Sequence, residues 1–382
     1  MKILTIDIGT GTQDIYLYDS RLDIENGYRF VLPSPTMQVR KVIKQAIVNQ
    51  SDIVLCGYLM GGGPNTWAVE EALRSGLQVY ATEEAARTLD DDLQIITQMG
   101  IKLISEDELK ALPEKVKRIW LHEFDFGRLQ KAFSLLGITM VDLALVSVAV
   151  FDHGQAPKGM SDRKFRFEFL ESRMREKKRL NAFAWRADQL PMHLTRMRSV
   201  VAAAGELLCP LMLMDTAPAA ILGAALDPAF QLHERNLVVN IGNGHTLACR
   251  FGKEGVEGLL EHHTGCLNPQ KLDELLLEFA KGSLTNEGVF ADHGHGALTL
   301  SKLPLPMDHA DFNFLVTGPR QNMVKASNLK PRFAAPFGDM MLTGCFGQLA
   351  AAAELYPNLQ EPIRESLASR AGENRAPWDL VD

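Results

Sequence analysis

The chain is poor in cysteine. It has five in 382 residues (Cys56, Cys209, Cys249, Cys266 and Cys345), and no two stand at CxxC spacing. That excludes a disulfide-stapled scaffold and leaves no iron–sulfur or zinc-thiolate signature, so a reduced, cytoplasmic protein is the expectation. Long hydrophobic runs are lacking too. The longest, VDLALVSVAVF at 141–151, is about half the length of a membrane span, and it reads as a buried central strand. No charged leader with an apolar core precedes the first strand. Basic residues are not in excess: the net charge of −7 argues against nucleic-acid and anionic-membrane partners. No short-period repeat is present. What is there is a 46% hydrophobic, 23% charged chain, long enough for two or three domains.

Local patterning gives an α/β chain. Residues 2–7 and 15–19 read as strands around a tight turn, with a third strand over 28–32. Residues 41–49 read as helix, 52–60 as a buried strand, and NTWAVEEALRSG as the helix after the Gly61-Gly62-Gly63 break. Alternating helix and strand signals follow up to the central strand. The charge-dense stretch 161–186 reads as a helix with a solvated face. LMLMD (211–215) is a short strand, APAAILGAALD a small-residue helix, and 236–251 a second strand–turn–strand. An amphipathic helix over 268–282, a strand over 311–318 and a helix over 338–356 follow, and residues 357–382 read as a Pro-rich surface tail.

The turn after the first strand, Gly9-Thr10-Gly11-Thr12-Gln13, is not a dinucleotide fingerprint. It lacks the third glycine, and DIYLYD after it alternates with period two, as a strand does. It has no Lys-Ser/Thr ending either, so it is not a Walker loop. Two readings stay open: a plain surface hairpin, or a turn whose N–H groups and threonine hydroxyls hold an anion. In the second, Asp7 beside it holds Mg²⁺ through water. A second copy, VVNIGNGHT (238–246), repeats the design with Asn240, Gly242, Asn243, Gly244, His245 and Thr246. Two such hairpins in separate halves can grip one polyphosphate from both sides.

The pair of hairpins resembles the two phosphate motifs of the actin-like ATPase superfamily, which includes actin, the heat-shock chaperone ATPases and the sugar and acetate kinases. MDTAPAAILGAALD (214–227) is similar to the first connecting helix of these proteins, FNFLVTGPR (312–320) to their adenosine motif, and GDMMLTGCFGQLAA (338–351) to their second connecting helix. Within the superfamily the chain most resembles a prokaryotic family labelled "putative pyruvate formate-lyase activating enzyme". FDHGQAPKGMSDRKFRF, EHHTG and VFADHGHGA are among the segments that carry this likeness. The literal label calls for CxxxCxxC to hold a [4Fe–4S] cluster, which this chain does not have, so radical chemistry is not expected.

The resemblance implies a two-domain α/β fold of the actin-like ATPase (ribonuclease H-like) type, with a nucleotide cleft between the domains. Domain I would be residues 1–155, followed by a charged connecting segment (156–205), domain II (206–337) and a connecting helix back to domain I (338–356). ATP and Mg²⁺ would be bound by the two turns, and the adenosine by Thr317, Gly318 and Pro319. The chain departs from the superfamily pattern in three places. Asn240 stands where an aspartate is usual, His245 where a glycine is usual, and one glycine is present in the adenosine motif. These departures bear on turnover more than on binding.

In such a fold the ends of the first domain's strands face the cleft. Asp152 and His153, at the end of the central strand, are then candidate catalytic residues, with Asp152 placed to take a proton. The alternative is a turn in which Asp152 caps a backbone N–H. Asp292, His293 and His295 form an HxH loop that offers ligands to a transition metal, or else a polar loop over the substrate; Glu261, His262 and His263 lie nearby in sequence. MGGGP (60–64) reads either as an anion-binding helix start or as a flexible turn. Three functions are therefore open: a phosphotransferase or ATPase with a small-molecule acceptor, a nucleotide-gated switch acting on a partner protein, and a metal-dependent enzyme using the histidine loops.

Overall fold

The computed structural model describes residues 1–205, 207–307, 312–368 and 378. The chain opens with an antiparallel meander, β1 (Lys2–Ile8), β2 (Thr12–Asp19) and β3 (Tyr28–Pro33). It then leaves that sheet to build four short parallel strands of its own: β4 (Ile53–Gly57), β5 (Val79–Ala81), β6 (Lys102–Leu103) and β7 (Lys117–Leu121), in the order β6-β5-β4-β7. A separate apolar core, with Ile43, Ile53, Val69 and Ile119 at its centre, holds this insertion together. The alternating helix and strand expected here thus form a sheet of their own, because these strands pair with one another and not with the hairpin.

The chain returns to the first sheet with β8 (Leu143–Val150), β9 (Ala184–Arg186) and β10 (Leu211–Asp215), giving the order β3-β2-β1-β8-β10-β9. β8 is apolar along its length because it is parallel to both neighbours and covered on both faces. Its single hydroxyl, Ser147, donates to Gln348 Oε1 at 2.6 Å. The second sheet is β14-β13-β12-β11-β15-β16, built from β11 (Arg235–Ile241), β12 (His245–Gly252), β13 (Gly255–His263), β14 (Gly296–Thr299), β15 (Phe312–Thr317) and β16 (Arg332–Phe333).

The two sheets repeat one plan. In β3-β2-β1-β8-β10 and in β13-β12-β11-β15-β16, two antiparallel pairings are followed by two parallel ones. This duplicated five-strand order is the actin-like ATPase fold. The helices Thr216–Ala224 and Thr343–Leu355 cross between the halves at very close range. A Cβ on Gly223 would stand 1.7 Å from the Thr343 carbonyl oxygen, and one on Gly347 would stand 1.9 Å from that of Ala219. The small residues of both segments permit that approach.

Several boundaries differ from expectation. β10, expected in domain II, pairs with β8 in the first sheet. The first helix begins at Pro35, ahead of the expected residue 41, because Ser34 accepts from the Met37 N–H and Pro35 suits a first helical turn. The expected surface tail contains the helix Pro357–Ala368, which buries Leu359 and Ile363 at i, i+4 spacing; the rest of that tail, Trp378 apart, lies outside the described residues. Among the described residues, no helix is long and apolar enough to cross a membrane.

Candidate functional site

The two glycine turns are built alike. Gly9 N–H donates to Thr12 O at 2.9 Å, and Gly242 N–H donates to His245 O at 3.0 Å. The first turn is held from outside by Ser34, whose hydroxyl donates to Thr10 O at 2.7 Å and whose N–H donates to Gly11 O at 3.1 Å. The second is held by Thr264 N–H, which donates to Gly244 O at 2.9 Å. The tips of the two turns touch: a Cβ on Gly11 would lie 2.6 Å from Asn243 Nδ2, and one on Gly244 would lie 3.0 Å from Thr10 Oγ1.

Behind this contact lies a cavity of about 70 Å³. Of the residues expected to hold nucleotide, Asp7, Gly9, Thr10, Thr12, Asn240, Gly242, Asn243, Gly318 and Pro319 line it. Gly11 and Gly244 sit instead in the contact between the tips. Gln13 donates to Pro33 O, Thr246 shares a hydrogen bond with Thr264, and the buried Thr317 shares one with Thr343. Gly318 turns the chain at φ 97°, a conformation that favours glycine, and a Cβ there would stand 2.5 Å from Asn240 Oδ1.

The cavity also holds residues the sequence reading missed. Asp14 stands opposite Asp7 in the hairpin register, and Thr216 donates to Asp7 Oδ1. Burial, foremost, pushes the Asp7 carboxyl up to about 7. Burial and the nearby Asp7 push Asp14 up to about 8. Asp14 Oδ1 is buried without a hydrogen-bond partner. Two facing carboxyls, one with an orphaned oxygen, fit a hard divalent cation such as Mg²⁺, which takes oxygen ligands. The helix Thr343–Leu355 starts against them: a Cβ on Gly344 would lie 1.8 Å from Asp7 Oδ2.

Beside the second turn is a buried ionic triad. Arg166 donates to Glu261 (2.8 and 2.7 Å), to Asp215 (2.6 and 3.2 Å) and to the Asp152 carbonyl (2.8 Å). Its guanidinium stacks 3.6 Å from the centre of the Phe151 ring. Arg166 lies in the stretch expected to be a solvated face, and there the expectation is corrected. It is 1% exposed, on the helix Asp162–Lys177, and falls in line with the buried Leu170 and Met174.

Asp152 is buried with both carboxylate oxygens accepting backbone N–H bonds, from Gly154 and from Met197, each at 2.8 Å. That is the turn-capping geometry. Burial still raises its carboxyl to about 6. His153 meets His245 and His295, and the ligand nitrogens of the three all lie within 4.8 Å of one another. His245 stacks flat on Phe151, centroids 3.8 Å apart. Burial lowers all three imidazoles, His153 to about 3, so each is neutral near pH 7. His293, expected beside His295 as a ligand, is instead exposed at φ 65° and does not belong to this group, while Asp292 pairs with Lys271 at 2.7 Å. In the glycine run after β4, Gly61 N–H donates to Glu123, which also pairs with Arg196, so that amide already has an internal anion.

Residues 60–323, well over half of the chain, match the family described as "Putative pyruvate format-lyase activating enzyme (DUF1786)". The chain belongs to that family. In this family member the match takes in the second glycine turn, the triad and the three histidines, and it begins after the first turn. No curated protein matches the chain. Among solved structures it is similar to the activator of the 2-hydroxyisocaproyl-CoA dehydratase from Clostridium difficile with bound ADPNP, at 9% identity over 97% of this chain and 100% of that one (TM-score 0.37). It is also similar to MreB5 of Spiroplasma citri bound to ADP, at 10% identity over 93% and 98% (TM-score 0.31). A ROK hexokinase from Thermus thermophilus matches at 12% identity over 67% of this chain (TM-score 0.23), and the chain spans 47% of that protein's length.

Proposed function

We propose that the chain binds ATP with Mg²⁺ between its two glycine turns and acts as a phosphotransferase or ATPase. One observation carries this reading: two turns of the same construction, from equivalent hairpins of a duplicated sheet, meet over a single cavity that also takes in the Gly318-Pro319 turn and the facing Asp7 and Asp14. The N–H groups of the turns would hold phosphate oxygens. Asp7 and Asp14 would hold Mg²⁺, whose charge offsets that of the phosphates. The Gly318-Pro319 turn would face the nucleoside. Asp152, with both oxygens engaged, would support the His153 turn in preference to serving as a base. The family description speaks of an activating enzyme, but the cysteines are spread over β4, β12, the helix Thr343–Leu355, the short helical turn Thr264–Cys266 and one loop, so the proposed activity is nucleotide-dependent and not radical.

A second reading, a nucleotide-gated switch on a partner protein, is favoured by the contact between the tips. A cavity of about 70 Å³ is far below the roughly 300 Å³ or more of a small-molecule site. Entry of a nucleotide would therefore have to part Thr10 from Gly244, and so part the two halves, whether or not hydrolysis follows. The test is thermal unfolding with millimolar ATP and Mg²⁺. Ligand at about 100 times its Kd adds about 2.7 kcal/mol, a rise of several degrees for a chain of this size. Asp7→Ala is expected to remove that rise, and no rise in the parent chain would overturn both readings.

A further inference from the structure

We propose that His153, His245 and His295 form a binding site for a borderline divalent transition-metal ion of the zinc type, spanning the two halves of the molecule beside the second glycine turn. The three residues come from three separate segments. His153 follows β8 of the first sheet, His245 opens β12 of the second, and His295 precedes β14. Their ligand nitrogens all lie within 4.8 Å of one another. Four-coordinate zinc holds nitrogens at about 2.0–2.1 Å, which sets them about 3.4 Å apart, so ring movements of about 1 Å close the set.

Two independent observations point to a ligand there. His245 Nε2 and both ring nitrogens of His295 are buried without any hydrogen-bond partner, a costly state for polar atoms in a packed interior. The surroundings also supply a carboxylate: Glu261, which shares the Arg166 guanidinium with Asp215, stands next to the histidines. Glu261 Oε2 lies 3.8 Å from His295 Nδ1, where a small ring rotation would let it orient that imidazole, as carboxylates do behind metal-bound histidines. Neutral imidazoles suit zinc, iron(II) and their neighbours in the first transition row, and are a poor set for Mg²⁺. Three protein ligands leave a fourth position for water or for a substrate oxygen.

Because His245 follows Gly244 directly, an ion here would fix the second turn to the end of β8. The proposal rests on the histidine geometry and not on nucleotide binding, so zinc alone is the probe and the two ideas fail separately. The chain, expressed without a histidine tag and stripped with chelator, is titrated with Zn²⁺, and metal is counted after dialysis. One equivalent per chain and a raised melting temperature are expected. His153→Gln and His295→Gln should each weaken binding at least tenfold, with circular dichroism confirming the fold, while the exposed His293→Ala should leave it unchanged. The half-exposed His153 gives a second variant if the buried His295 change prevents folding. Cobalt(II) loading of the parent chain should give the intense visible bands of a four- or five-coordinate ion. Absence of a stoichiometric ion in the parent chain, a six-coordinate cobalt spectrum, or equal binding by folded His153→Gln would each overturn the proposal.

Discussion

Asp7 and Asp14 face one another across the first hairpin, and the carboxyl of each is held above its ordinary value of 3.8, to about 7 and about 8. The folded chain therefore binds these two protons more tightly than the unfolded chain does. Their contribution to stability is greatest at low pH and is lost as pH rises through about 4 toward 8. Asp14→Asn removes part of that loss. It is expected to stabilise the metal-free protein at pH 8 by on the order of 2 kcal/mol while changing little at pH 5. Urea unfolding of both chains at the two pH values checks this, and equal effects at both would contradict it.

Mg²⁺ should act in the same window. It is expected to raise the melting temperature more at pH 8, where the pair is ionised, than at pH 5, where protons compete, and Asp14→Asn should reduce the effect. A Mg²⁺ effect independent of pH and of Asp14 would place the cation elsewhere.

The helix crossing gives a packing prediction. Gly347→Ala would place a methyl carbon where the Ala219 carbonyl oxygen stands 1.9 Å away, and backbone on both sides leaves little room to yield. A loss of about 3 kcal/mol or more is expected, at the high end for overpacking, and denaturant unfolding reads it directly. Gly265→Ala, with open space around its Cβ direction, is the control.

Arg166→Met would leave Asp215 and Glu261 buried without their cation. A cost of about 3–5 kcal/mol is expected, largest at neutral pH. Adding Glu261→Gln should restore part of it, because one stranded charge is then removed. If Arg166→Met proves neutral, the triad does not join the halves in the way its hydrogen bonds indicate.

The features legible in the sequence were those written locally. Gly9-x-Gly11 and Gly242-x-Gly244 stand out because strand alternation resumes at once on either side, and the small residues of 216–224 and 343–355 mark helices that must approach closely. The four-stranded insertion was not legible, since a strand's pattern does not name its partner. Arg166 was hidden in a run of charges, although its i, i+4 spacing with Leu170 and Met174 puts it on the apolar stripe. Asp14 could have been found from the hairpin register, which sets it opposite Asp7. The three histidines could not have been brought together in this way. His153, His245 and His295 meet only through the packing of both sheets, and the HxH spacing drew attention to His293, which points out to solvent.

Calorimetric titration of the purified chain with a non-hydrolysable ATP analogue and Mg²⁺ tests the nucleotide reading most directly. One site per chain is expected, lost in Asp7→Ala and weakened in Gly318→Val, where a side chain would press on Asn240. Absence of binding at millimolar analogue by the folded parent chain would contradict it.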